Sequence, residues 1–311
     1  MVYPDYYSRF RCTADKCRHN CCIGWEIDID EETLSYYDMV PGDIGQRIRD
    51  NIAYGDPSCF KMTADNRCPM LNERGLCEIM LNLGADSVCD ICYEHPRFYN
   101  DFDTHTECGL GLCCEAGCRM IIDNKDIVKL EGYTDDMRSD PDVILRDRVI
   151  CCLQNRSKPI AERINDMLGL FNIADCSLSI PYWTDIMYSL ERLSPDWTRC
   201  LELIKEHFSR DALRDFRQHM QSRQTEYEQL MVYTVYRYML GCHPSPAAAA
   251  LLAYLSYSVI EAIGAAIYGA TGEFDLDTQL EIIRLYSCEI EYSTENVGIL
   301  LDTLAENYCN N

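Results

Sequence analysis

The sequence predicts a mainly α protein, in which a loop-rich, cysteine-rich N-terminal module folds around a metal cluster and an irregular antiparallel helical bundle follows. Three observations carry that expectation. Thirteen of the 20 cysteines fall within the first 118 of 311 residues. The second half places apolar residues at helical spacing between recognisable caps. No period-2 run of useful length occurs, and no repeat of roughly 20–50 residues. The expected domains are 1–125, cysteine-rich, and 140–311, helical, joined through the charged stretch DNKDIVKLEGYTDDMRSD.

Taken in order, residues 1–27 carry Cys12, Cys17, Cys21 and Cys22 with little periodicity, a segment whose order depends on what its thiols bind. Asp30 is placed to cap EETLSYYDMV, which Pro41-Gly42 ends. Asp43 with Gln46 has capping-box spacing for IGQRIRDNIA, and Gly55-Asp56-Pro57 turns the chain. Glu78–Leu83 is expected to make one helical turn or two. Beyond the charged connection, Asp140-Pro141 starts DVILRDRVICCLQNR, Ser157 with Pro159 starts IAERINDMLGLF, and Pro181 opens YWTDIMYSLERL. Ser194-Pro195 caps DWTRCLELIKEHF, and EYEQLMVYTVYRYML follows. Thr278 and Glu281 read as a capping box before LEIIRLYSCEIEY, and a last amphipathic run ends at Asn311.

The most apolar stretch, 246–270, is long enough to span a bilayer. Glu261 lies inside it, Ser256, Tyr257 and Ser258 sit in its middle, and neither end has a basic flank. A helix apolar on all sides is also what a bundle centre requires, and that is the expectation here.

With 28 Lys+Arg against 51 Asp+Glu, the formal charge is -23. Such a surface repels nucleic-acid phosphate and anionic lipid, which excludes both as partners. The opening MVYPDYYSRFRC lacks the basic and then apolar run of a secretory signal, so the thiols are expected in the cytoplasm. There they stay reduced, and a dense cysteine group points to a metal or iron–sulfur site before disulfides.

The spacings are Cys12-x4-Cys17-x3-Cys21-Cys22, Cys68-x8-Cys77, Cys89-x2-Cys92 and Cys108-x4-Cys113-Cys114-x3-Cys118. They match neither the paired Cys-x2-Cys of a zinc ribbon nor the run of a bacterial ferredoxin, so spacing leaves zinc and iron–sulfur both open. A Cys-x3-Cys-x2-Cys loop of radical S-adenosylmethionine chemistry is not present, because Gly24 and Ile121 stand where the third cysteine belongs. Gly109-Leu-Gly111 is too short a signal for a nucleotide loop.

Cys12, Cys17-x3-Cys21-Cys22-Ile-Gly-Trp25, then Cys68-Pro-Met-Leu-Asn-Glu-Arg-Gly-Leu-Cys77-Glu-Ile, then Cys92-x3-Pro96-Arg97, resemble the flagellin lysine-N-methylase family, itself related to proteins with a zinc- or iron-chelating cysteine domain. DVILRDRVICCLQNRSKPIAERI and YSCEIEYSTEN resemble that family's helical part, so the likeness covers nearly the whole chain. The resemblance implies metal ligands among Cys12, Cys17, Cys21, Cys22, Cys68, Cys77, Cys92 and Cys114, a [4Fe–4S] cluster with zinc as the alternative, and methylation of flagellin lysines with S-adenosylmethionine. Cys89, Cys108, Cys113 and Cys118 are extra thiols, competing ligands or packed groups.

Methyl transfer to lysine needs a neutral amine held in line with the methyl group, away from water. Glu289, Glu291 and Tyr292, in the YSCEIEYS segment, are the candidates to hold the ammonium or take its proton, with a solvated helix face as the plainer reading. Arg97 is the candidate for cofactor binding, and an ordinary salt bridge is its plainer role. The contrasting expectation for the whole chain is a non-enzymatic interaction module held together by zinc or iron–sulfur.

Overall fold

The computed structural model describes residues 1–174 and 176–309. Two compact units make up the chain. One gathers Arg11–Phe98 with Cys114–Ala116; the other gathers Met1–Phe10, Tyr99–Cys113 and Gly117–Asn311. The first ten residues and 99–113 therefore pack with the helices, although they lie within the 1–125 stretch. Backbone pairing is the reason: Val2 bridges to Glu107, the Tyr236 hydroxyl donates to the carbonyls of Val2 and Cys108, and Tyr3–Pro4 pairs antiparallel with Leu130–Glu131.

In the cysteine-rich unit, helix α1 (Glu31–Met39) starts where Asp30 accepts the Thr33 N–H, as the cap predicts. Helix α2 (Gly42–Asp50) starts one residue before Asp43. The expected capping box does not form, and Gln46 bonds Asp50 instead. Gly42, at φ +75°, makes the turn in from Pro41, and this conformational freedom displaced the start. Short helices α3 (Glu78–Leu83) and α4 (Asp90–Glu94) complete the unit with a small sheet of Asp28–Ile29, Ser58–Phe60 and Ile52–Ala53. Ile27, Ile29, Tyr37, Ile48, Ile52, Phe60, Met70 and Ile79 form its core.

The chain also holds a strand pair the alternation test did not reveal. Arg97–Asp101 pairs with Thr106–Leu110, the second strand buried over its last four residues, so no polar face marks it in the sequence. Helix α5 (Glu115–Ile122) and the one-turn α6 (Asp135–Arg138) lead to α7 (Pro141–Leu153), capped by Asp140 as expected. Then come α8 (Ile160–Gly169), α9 (Ile180–Ser189) and α10 (Pro195–His207), whose cap is Ser194. Helix α11 (Arg210–His219) was not anticipated. Only Phe216 of it is buried, leaving a charged surface helix with a thin apolar stripe, capped by Ser209.

Helix α12 (Gln224–Tyr238) packs on α13 (Pro246–Thr271), and α8 to α11, α14 (Leu276–Tyr286) and α15 (Thr294–Tyr308) also contact α13. This is the long apolar helix. It satisfies the length and apolarity test for a membrane span, yet 89% of its most apolar window is buried among its neighbours, the expected bundle-centre arrangement. Ser245 caps its start, and Gly272, at φ +74°, ends it in the left-handed conformation. Helix α14 starts at Leu276 under an Asp275 cap, so the Thr278–Glu281 box is corrected: Thr278 is the residue that donates to the cap. Past Tyr286 the helix widens into π turns over Ser287–Glu291, and α15 ends at Tyr308; Asn311 lies outside the described residues.

Candidate functional site

Backbone pairing between distant loops builds the thiol site of the cysteine-rich unit. Cys68 donates its N–H to the Cys22 carbonyl, Gly24 donates to Asn66, and Ile23 bridges Arg67, so the 20–25 loop lies along 66–68. Leu71 bridges Cys77, while Glu78 donates to the Met70 carbonyl, which returns Cys77 to the same place at the start of α3. Asp30 serves two helices at once: one carboxylate oxygen caps α1, and the other accepts the Asp90 N–H at the start of α4. That link holds Cys89 and Cys92 near α1, with their sulfurs 3.5 Å apart.

Cys22, Cys68, Cys77, Cys89 and Cys92 consequently pack against one apolar core. Cys21 joins at the exposed edge. The electrostatics follow the grouping, since each of these thiols has others of the six among its charged neighbours. Cys22 hands its hydrogen bond to Cys21, which lowers Cys21 to about 7 and raises Cys22, where burial adds to the effect. Cys92 acts in the same way on Cys89, lowering it. Burial raises Cys68 to about 11, with Cys77, Cys89 and Cys21 adding like charge. Burial also raises Cys77, opposed by the N–H groups at the start of α3. Burial thus favours the protonated form at Cys68 and Cys77, and a positive centre bound beside them would reverse that balance.

The remaining expected ligands are placed differently. Cys12 is exposed, and half-buried Cys17 has its sulfur 3.2 Å from the His19 carbonyl and 3.9 Å from a Glu115 carboxylate oxygen. That carboxylate accepts from the Arg18 backbone and guanidinium and bonds His19. Cys114 is half-buried, next to Glu115. Cys89, read from the sequence as an extra thiol that either competes as a ligand or is packed, is inside the group beside Cys92. Cys108 and Cys118 are buried in the helical unit.

Among the described residues, no three His, Cys, Asp or Glu side chains converge closely enough to hold a single metal ion. The donor type, thiolate sulfur, is one that zinc and iron–sulfur clusters both take. His95, half-buried, has its ring 6.1 Å from Trp25, and burial lowers its pKa. Arg97 donates to the Tyr93 carbonyl at the end of α4, 3.1 Å away. An open cleft of 480 Å³ lies between Trp25, Glu26, Cys59, Phe60 and Met62.

The acidic candidates belong to the helical unit. Glu289 is buried, and its carboxylate accepts the Leu193 N–H at 2.7 Å, while Asn296 ties the carbonyls of Glu289 and Glu191 together. Burial raises its pKa. It is a clasp on the α9–α10 connection. Glu291 accepts from the Tyr233 hydroxyl at 2.5 Å and from Arg237 at 2.9 Å, and burial raises it despite both. Tyr292 is half-exposed, with the Arg237 guanidinium 5.7 Å from its ring; burial first, and then Cys113, raise its phenol. The π turns bring Glu291 and Tyr292 onto Arg237, a π-helical feature often found at functional sites and invisible to a 3.6-residue pattern.

Residues 173–311 match the family described as the FliB lysine N-methylase C-terminal domain. A lysine-N-methylase of Salmonella typhimurium is 28% identical over 144 residues, 43% of this chain and 35% of that protein. The lysine-N-methylase of Salmonella choleraesuis is equally similar over 145 residues. The flagellar biosynthetic protein FliU of Salmonella muenchen is 27% identical over 140 residues, 42% of this chain and 81% of its own length. The matched stretch thus spans about a third of the two lysine-N-methylases, 35% of each. No solved structure matches. Residues 173–311 are thus similar to the C-terminal domain of lysine N-methylases.

Proposed function

We propose that this chain is a protein lysine N-methyltransferase that acts on flagellin in the cytoplasm, with S-adenosylmethionine as methyl donor and a [4Fe–4S] cluster in its cysteine-rich unit. The observation that carries the reading is the lysine N-methylase C-terminal domain over residues 173–311. Packing of Cys22, Cys68, Cys77, Cys89 and Cys92 against one apolar core supports the cluster. Cys22, Cys68, Cys77 and Cys92 would hold it, with Cys89 and Cys21 as further sulfurs within reach. When bound, such a cluster supplies an electron-transfer or Lewis-acid centre and ties the loops of the unit together.

The protein's own part is to neutralise and align a lysine amine and to keep water from it. Glu291 is already engaged by Arg237 and Tyr233, so its carboxylate positions those groups instead of standing open as a base.

The test is mass spectrometry of flagellin co-expressed with the wild-type protein, together with iron and sulfide analysis of anaerobically purified protein. Methylated lysines and equal amounts of iron and labile sulfide are expected. Cys68→Ser should strip the iron, whereas Cys151→Ser, at an exposed site in the helical unit, should retain it. Unmethylated flagellin beside an iron-loaded protein would overturn the enzymatic reading.

A further inference from the structure

Glu261 is the one charged residue inside the apolar centre of α13, and it is 5% exposed. It borders a cavity of 270 Å³ whose walls include Tyr227, Tyr254, Tyr257 and Met220, with Arg217 beside the carboxylate. Tyr227 and Tyr257 meet edge to face with ring centres 5.1 Å apart, and Tyr254 stacks on Tyr257 at 6.4 Å. Aromatic faces around a carboxylate form the usual receptor for an organic cation.

The hydrogen bonding leaves room for one. Glu261 accepts from Arg217 Nε at 2.9 Å, Arg217 Nη2 at 2.6 Å and the Tyr257 hydroxyl at 2.8 Å. A carboxylate offers about four lone-pair positions, so one is left. Arg217 is 55% exposed, whereas Glu261 is fixed in the helix, so Arg217 is the partner able to swing out to water. The Tyr227 hydroxyl, on a ring 98% buried from solvent, has the Gln279 amide as its polar neighbour.

We propose that this cavity receives the side chain of a lysine residue presented by a protein, its ammonium lying among the three tyrosines and against Glu261. Lysine carries a compact charge on a flexible four-carbon stem that the aromatic and Met220 walls can cover. The volume is below the roughly 300–1,000 Å³ of pockets for drug-sized ligands, which favours a side chain over a nucleoside cofactor. The identity of the lysine's owner rests on the methylase reading; recognition of the cation does not.

The experiment measures binding by saturation-transfer NMR with three probes: Nα-acetyl-lysine methylamide, its neutral norleucine analogue, and S-adenosylmethionine. The lysine probe should bind at least about tenfold more tightly than norleucine, and Tyr254→Ala should weaken it by about tenfold, the scale of one desolvated cation–π contact. Ala161→Trp, at an exposed position on the cavity rim, should block it without disturbing the core. Equal binding of norleucine, or indifference to both variants, would overturn the assignment. So would S-adenosylmethionine being the probe that Ala161→Trp displaces. Methylation of flagellin with no lysine binding at this cavity would sink this inference alone, and lysine binding without methylation would sink the enzymatic reading alone.

Discussion

Replacing Glu107 with Gln should cost the helical unit about 3–5 kcal/mol, the scale for breaking a buried ion pair from one side. Glu107, on the Thr106–Leu110 strand, and Arg146, on α7, both have fully buried side chains. Arg146 Nη1 donates to both Glu107 oxygens at 2.9 Å, Nε donates to Asp147 at 2.9 Å, and Nη2 donates to the Tyr133 hydroxyl at 2.6 Å. Its guanidinium also lies 5.5 Å from the Tyr236 ring centre. Gln keeps the shape of Glu but removes the charge, and an arginine cannot escape by losing its proton. Asp147, 44% exposed, is then the remaining carboxylate on Arg146 among the described residues and is largely screened by water. For a unit of this size the loss corresponds to a drop of roughly 6–20 °C in Tm. Thermal and urea denaturation followed by circular dichroism would measure it, and the double variant E107Q/R146M should recover most of the stability because no charge is left stranded. A loss below about 1 kcal/mol for E107Q would show that water reaches the pair and would refute the reasoning.

Two further changes test the local arguments. Gly45→Ala would drive a β-carbon into the Val40 carbonyl, a backbone group that cannot move aside, so proteolysis should show the cysteine-rich unit loosened by about 1–3 kcal/mol despite the better helix propensity of alanine. At Asp275 the Thr278 N–H, and then the Thr278 hydroxyl, hold the carboxyl below its ordinary value. A depressed carboxylate contributes stability above its unfolded pKa, near about 3.9, and loses it as the pH falls through the folded value. Melts between neutral and acid pH should therefore show Asp275→Ala losing up to about 1 kcal/mol at neutral pH, and Asp275→Asn keeping most of the cap but lacking the acid-side loss.

Helix starts were legible where a side chain bonds its own next turn. Asp30, Asp140 and Ser194 each cap the helix that follows them. Legibility failed where backbone conformation decided the matter, as at Gly42, or where two capping residues stood three apart, as with Asp275 and Thr278. Helix α11 escaped because most of it faces water, and the strands near residue 100 escaped because burial on both faces erased their alternation. The thiol site was half legible: sulfur chemistry and crowding were plain, but Cys89 could not be ranked above Cys12 by spacing.

Sequence alone determined the mainly helical class, the buried status of α13 and the crowding of cysteines into the first 118 residues. Each follows from residue type and from neighbours within a turn or two. Only the tertiary structure decided that Cys22, Cys68, Cys77, Cys89 and Cys92 share one core, and that Glu261 lines one cavity with three tyrosines. Those meetings join residues tens of positions apart, and they depend on loop pairing and helix packing, whose energies belong to the whole fold and to no local stretch of it.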